Sequence, residues 1–195
     1  MTAISPLQSI HKKGLFGDHH KKNESDLLNI AEIINLYIVQ IVQFKNSKIE
    51  SNNIQIDDLA LSLQSSKVLS NKNTRILWSA PNTWLVISEK ENIVKIIKEK
   101  CNNDNFAVTD ISHSRTIIQI KGPNTKEVLK KGCPLNINDL EKNNCAGSVF
   151  HGITIVLDCT DNQPQSFNLI TLRSFGESLY HHITDASLEF GYVGV

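Results

Sequence analysis

Asp110, Ser112 and His113 bring the acid, hydroxyl and imidazole of a nucleophilic triad into one short stretch. That chemistry needs the three side chains in a single hydrogen-bonded line, with the imidazole between hydroxyl and acid. On an extended backbone Asp110 and Ser112 share a face and His113 points to the other. The spacing therefore argues against catalysis. The plainer reading is that Asp110 and Ser112 satisfy backbone groups at a strand end, as short polar side chains commonly do. Arg115, beside a strand of buried character, is read as pairing with a carboxylate or reaching a partner surface.

The other chemistry-bearing residues are equally unpromising. His19-His20 and His181-His182 invite a metal, but adjacent helical residues diverge by about 100°, so His181 and His182 cannot close on one ion unaided. No H-x-x-x-H motif exists. Cysteines at 101, 133, 145 and 159 have no C-x-x-C spacing, which removes zinc-ribbon and thioredoxin readings and leaves buried, reduced thiols. Gly122-Pro123-Asn124-Thr125-Lys126 opens a helix but matches neither phosphate-loop pattern, and Pro123 lacks an N–H that an anion would need. Trp78 and Trp84 flank a tight turn with no basic groove, which favours core or interface over base stacking. The expected site content is no catalytic residue, no cofactor-binding residue and no metal ligand.

Lys+Arg and Asp+Glu balance at 20 each, so no global field draws nucleic acid or an anionic membrane. No apolar run reaches secretory or membrane-spanning length. The expectation is a cytoplasmic protein.

These residues need elements to hold them. Thr116–Ile120 reads as a buried strand, broken by Gly122-Pro123 and followed by a short helix over 124–131. Gly132 is read as its left-handed cap, and Pro134 forbids continuation. Residues 26–35 could begin a helix, with a strand from Leu36, and Ile56, Leu59, Ala60 and Leu63 are spaced as in a helix. Arg75–Ser79 and Trp84–Ser88 form a hairpin around Pro81-Asn82-Thr83. Ser88–Glu91 and Ser174–Glu177 fit the capping-box pattern. The second of these opens a helix with Phe175, Leu179 and Ile183 in line. Val149–Leu157 reads as a hairpin around His151-Gly152, and Phe167–Leu172 alternates as a strand. The fold class is α+β, with mixed or antiparallel sheets, helices on one side and ferredoxin-like units. Residues 1–25 form a polar arm carrying Ile4, Leu7, Leu15 and Phe16. It is either solvated or docked on a partner. Residues 26–195 form one α+β domain, or two packed halves of about 26–110 and 111–195.

Taken in order, several landmarks bear a family resemblance. They are Ser5-Pro6-Leu7; Ile76-Leu77-Trp78, Pro81 and Trp84-Leu85; Val108–His113 with Arg115-Thr116; Gly122-Pro123; Gly132–Leu135; Cys145-Ala146; Phe167–Leu169; Arg173-Ser174; and Glu189–Gly191. The chain resembles the gamma subunit of heterotetrameric sarcosine oxidase, whose fold is similar to the folate-binding aminomethyltransferase of the glycine cleavage system. Residues 18–74 contribute nothing to the match, and Ser79-Ala80 and Gly176 depart from it. The resemblance implies a non-catalytic small subunit that contacts the alpha subunit directly and shares a complex with beta and delta subunits. It also implies that FAD, FMN, NAD and tetrahydrofolate sit on those other subunits, where sarcosine is demethylated to glycine. Leu7, Leu15, Phe16, Ser112, His113 and Arg115 are the candidate contact residues. The rival is a stand-alone folate-binding protein or one-carbon transferase, which needs a concave apolar cleft with a few convergent polar groups.

Overall fold

The structure, a computed structural model, describes residues 5–195; Ile4 of the arm lies outside them. The first strands are β1 (Gly14–Phe16), β2 (Leu28–Ile33) and β3 (Tyr37–Gln43), then the minimal pair β4 (Gln55–Ile56) and β5 (Leu59–Ala60). There follow β6 (Val68–Ser70), β7 (Thr74–Ala80), β8 (Thr83–Ser88), helix α1 (Ile93–Lys100) and β9 (Phe106–Asp110). Next come β10 (Arg115–Lys121), α2 (Thr125–Lys130), β11 (Cys145–Phe150) and β12 (Ile153–Asn162). The chain continues through β13 (Gln165–Leu172), α3 (Gly176–Ser187) and β14 (Tyr192–Gly194).

Two compact units result. The first takes the chain up to Ile34 together with Ser114–Val195, and the second is Asn35–His113. The boundaries thus fall at 34/35 and 113/114, not near 110 alone. The reason is β2: its alternating Leu28 and Ile30 enter the first unit's core and it pairs with β10 and β14, so the early chain joins the later half.

In the first unit seven strands run in the order β1-β14-β2-β10-β13-β12-β11. All neighbours are antiparallel except β14 beside β2. The two-residue period of the strands turns Leu28, Ile30, Ile118, Ile120, Phe167 and Leu169 to one face. There they bury Val128 and Leu129 of α2 and Leu179, Tyr180 and Ile183 of α3. In the second unit β6-β7-β8-β3-β9 form an antiparallel sheet, with β4 and β5 as a separate ribbon. One face of that sheet, with Val39, Ile41, Ile76, Trp84, Val86 and Phe106, covers Ile93, Ile97 and Cys101 at α1. Each unit is a sheet with its helices on one face, an α+β architecture as expected.

Several local expectations are corrected. Residues 28–33 are strand, not helix. The segment read as a helix over Ile54–Leu63 is the β4–β5 ribbon, turned through Asp57 and Asp58 at φ 51° and 63°. Side-chain bonds to Asp57 hold that turn and override the helical spacing. Neither capping box forms. The Ser88 hydroxyl bonds Thr74 and accepts from the Lys90 N–H, and α1 begins only after Asn92. Glu177 is taken by Ser9, and a 3-10 turn over Arg173–Phe175 leads into α3, leaving Phe175 45% exposed.

Gly132 does not take a left-handed conformation, so its glycine is required for another reason. A Cβ there would sit 2.7 Å from Cδ2 of His151 and 3.0 Å from Cδ2 of Phe150. Because Phe150 is fully buried, it cannot retreat. Gly132→Ala is therefore expected to destabilise the first unit by about 1–2 kcal/mol, in the range of overpacked cores. Urea denaturation checks this; an unchanged midpoint would show that the site relaxes freely.

The arm is not a loose tail. Leu7 is fully buried in the first unit's core and β1 pairs with β14. The Cβ-free Gly17, at φ 70°, lets the chain pass Leu188, whose carbonyl oxygen would lie 2.3 Å from any Cβ.

Candidate functional site

The acid–hydroxyl–imidazole stretch closes β9 in the second unit. Asp110 is the strand's last residue, opposite Val39. Ser112–Ser114 then forms one 3-10 turn in place of extended backbone. The turn exists because Ser112 folds back: its hydroxyl and its N–H both donate to Asp110 Oδ1, at 2.6 and 3.0 Å. Its Oγ also accepts the Ile38 N–H at 2.9 Å. Ser112 is thereby engaged as both donor and acceptor, and exposed His113 joins none of these hydrogen bonds. Burial pushes the Asp110 carboxyl up, but the two Ser112 bonds and the nearby His113 and Lys98 charges outweigh it and hold the pKa below its ordinary value. An ionised acid that caps a turn and a hydroxyl that caps a strand do structural work.

The remaining candidates fall in the first unit. Arg115 opens β10, half-buried, with Nη1 donating to the Ser114 carbonyl and hydroxyl at 3.2 Å each. Phe16 stacks on Tyr192 with ring centroids 5.1 Å apart, while Leu15, on the opposite face of β1, is 49% exposed. Leu7 offers no surface at all, so it is a core residue and not a contact residue. The apolar character that suggested docking is explained in its case by the chain's own core.

The histidines diverge as the helix geometry requires. His182 lies against His151 at 5.0 Å between ring centroids, whereas His181 meets Tyr180. Among the described residues no three His, Cys, Asp or Glu side chains could hold a metal. All four cysteines are buried and unlinked, and burial pushes the Cys101 thiol up to about 11. At the start of α2 the Lys126 N–H is taken by Gln165 Oε1 at 3.4 Å, and the Thr125 hydroxyl by the Gly122 carbonyl. Trp84 is fully buried and its indole N–H reaches the Ser62 carbonyl at 2.8 Å.

One polar cluster was not anticipated. Asp57 receives the Lys90 ammonium, the Thr74 hydroxyl at 2.6 Å and the Asn71 amide at 3.1 Å. Thr74 in turn meets the Ser88 hydroxyl at 2.8 Å. The signal was present in Asp57-Asp58, two turn-forming residues between Ile56 and Leu59. The neighbouring depression lined by Lys90, Glu91, Asn92 and Ile96 is open to solvent. It is not enclosed, as a cleft that buries most of a ligand would be.

Two sheets, each with helices packed on one face, define an α+β fold. The backbone matches glycine cleavage system aminomethyltransferase T from Bartonella henselae with a TM-score of 0.63 at 12% identity, over 82% of this chain and 46% of that one. It matches a chain of heterotetrameric sarcosine oxidase from Corynebacterium sp. U-96, in complex with pyrrole 2-carboxylate, with a TM-score of 0.78 at 21% identity, over 86% of this chain and 87% of that one. A family model described as sarcosine oxidase, gamma subunit family matches residues 51–189. The chain belongs to that family.

Among curated relatives, sarcosine oxidase subunit gamma of Corynebacterium sp. (strain U-96) is 28% identical over 120 residues, 60% of this chain and 58% of the relative. The counterpart from Corynebacterium sp. (strain P-1) is 27% identical over 124 residues, 62% of this chain and 60% of the relative. The chain thus aligns with less than two thirds of the length of these relatives. The family match begins at residue 51, inside the 18–74 stretch where the sequence landmarks were silent. Among the described residues no helix is long and apolar enough to cross a membrane.

Proposed function

We propose that this chain is the non-catalytic gamma subunit of a cytoplasmic sarcosine oxidase complex, docked directly on the alpha subunit alongside beta and delta subunits. Oxidative demethylation of sarcosine to glycine, with transfer of the one-carbon unit to tetrahydrofolate, belongs to the other subunits. FAD, FMN, NAD and tetrahydrofolate are held there. The family match across residues 51–189 carries this reading. The hydrogen-bonded Asp110–Ser112 pair supports it, because the stretch that most resembles an active site is spent on holding β3 and β9 together. Leu15, Phe16 and Arg115 of the first unit and Ser112 and His113 of the second are the proposed contact residues, while Leu7 is buried in the first unit's core.

Co-expression with the alpha subunit tests the proposal. A complex that survives gel filtration is the expected result, together with no turnover of any methylamine by the isolated chain. Calorimetric binding of tetrahydrofolate by the chain alone would instead establish the stand-alone folate binder.

A further inference from the structure

Arg115 and Leu172 face each other across β10 and β13. The pleat that sends Ile118 and Leu169 into the core turns this pair to the opposite face of the sheet. Leu172 is 42% exposed there, and Phe175, one 3-10 turn further on, is 45% exposed. Isolated surface leucines mean little, but two adjoining large apolar side chains beside a guanidinium form a patch. The patch is also held in place. Gly176 packs so closely on Thr116 that a Cβ would lie 3.1 Å from its Oγ1, which fixes the turn carrying Phe175.

Arg115 is the unusual member. Its hydrogen bonds end on Ser114, and among the described residues no carboxylate pairs with it. The two acids at this end of the sheet are committed elsewhere, Glu32 to Ser5 and Glu177 to Ser9. A half-buried arginine presents a planar fork suited to a carboxylate, and the described residues supply none.

We infer that the Arg115–Leu172–Phe175 corner is an inter-subunit contact that receives a partner segment bearing a carboxylate beside apolar side chains. The inference rests on the subunit reading above and locates part of the surface through which it operates. A second copy of this chain is a poor occupant, because a two-fold contact here would set two unpaired guanidinium groups against each other.

The test uses the full chain with the other subunits of the complex, with affinity measured by surface plasmon resonance at two salt concentrations. Arg115→Glu is expected to weaken association about a hundredfold and Leu172→Asp about tenfold. Arg115→Lys should fall between wild type and Arg115→Glu, and Arg115→Ala should flatten the salt dependence. Both altered side chains are at the surface, and circular dichroism with thermal melting shows that the variants remain folded. Wild-type binding with all four variants unaffected would overturn the inference and leave the subunit reading standing. Failure of the wild-type chain to bind any of the flavoprotein subunits would bring down the subunit reading, and the inference with it. A concentration-dependent homodimer abolished by the same substitutions would also overturn it, by assigning the corner to self-association.

Discussion

Trp84→Ala is expected to lower the unfolding free energy by about 4 kcal/mol, the usual scale for deleting a buried indole. The side chain has no exposed surface and lies in one core with Val39, Ile41, Ile76 and Val86. Its loss leaves a void that the strands on either side cannot close, since β8 is paired with both β3 and β7. It also strips the Ser62 carbonyl of the indole N–H that reaches it at 2.8 Å. Chemical denaturation followed by far-ultraviolet circular dichroism measures the effect. Trp84→Phe, which refills most of the volume but makes no hydrogen bond, should recover more than half of the loss. Equal destabilisation by both substitutions would mean that the hydrogen bond dominates and the cavity argument is wrong.

The second large effect is acid-dependent and centres on Asp57. The Lys90 ammonium, then the Thr74 hydroxyl, hold its carboxyl below the ordinary carboxylate range, against the opposing effect of burial. A carboxylate whose folded pKa is depressed contributes stability that is fully present above its unfolded value, near 3.9. That contribution is lost as pH falls through the folded value. Asp57→Ala is expected to cost about 3 kcal/mol at neutral pH, because it removes several hydrogen bonds to a charged group. It also leaves the hydroxyl of Thr74, a residue 1% exposed, with one partner fewer. Wild type and variant should converge in stability as the pH drops below 4. Urea midpoints taken between pH 7 and pH 3 provide the check. A gap that stays constant across that range would show that the carboxylate charge plays no part.

Much of the strand framework was legible in the sequence, because β-branched runs and turn residues reported the same thing. Arg75–Ser79, Trp84–Ser88 and Thr116–Ile120 lie within β7, β8 and β10, and the His151-Gly152 turn joins β11 to β12. The failures share a cause. Ile56, Leu59 and Leu63 have helical spacing, yet Asp57 is pinned by residues 71, 74 and 90, partners that no local window contains. Both Ser-x-x-Glu patterns were likewise captured by distant groups: Ser88 by Thr74 across β7 and β8, and Glu177 by Ser9. Gly132 was recognised as necessary for the wrong reason. A close approach by Phe150 cannot be distinguished in sequence from a left-handed cap. As for the candidate site, Asp110 and Ser112 were correctly read as satisfying backbone, but the turn that makes them do so was not foreseen. The burial of Leu7 depends on a core that joins Leu28 and Ile30 to residues more than a hundred positions away, which an isolated view of the arm cannot reveal.

The placement of β14 between β1 and β2 has a consequence for synthesis on the ribosome. Residues 35–113 are contiguous, so that unit can acquire its full complement of strands while later codons are still being read. Residues 14–16 have no such opportunity: among the described residues their one strand neighbour is Tyr192–Gly194, so the strand must stay unmated until that segment has been made. A nascent chain stalled before Tyr192 would therefore leave Phe16 without the ring it stacks on, open to any chaperone that samples apolar segments.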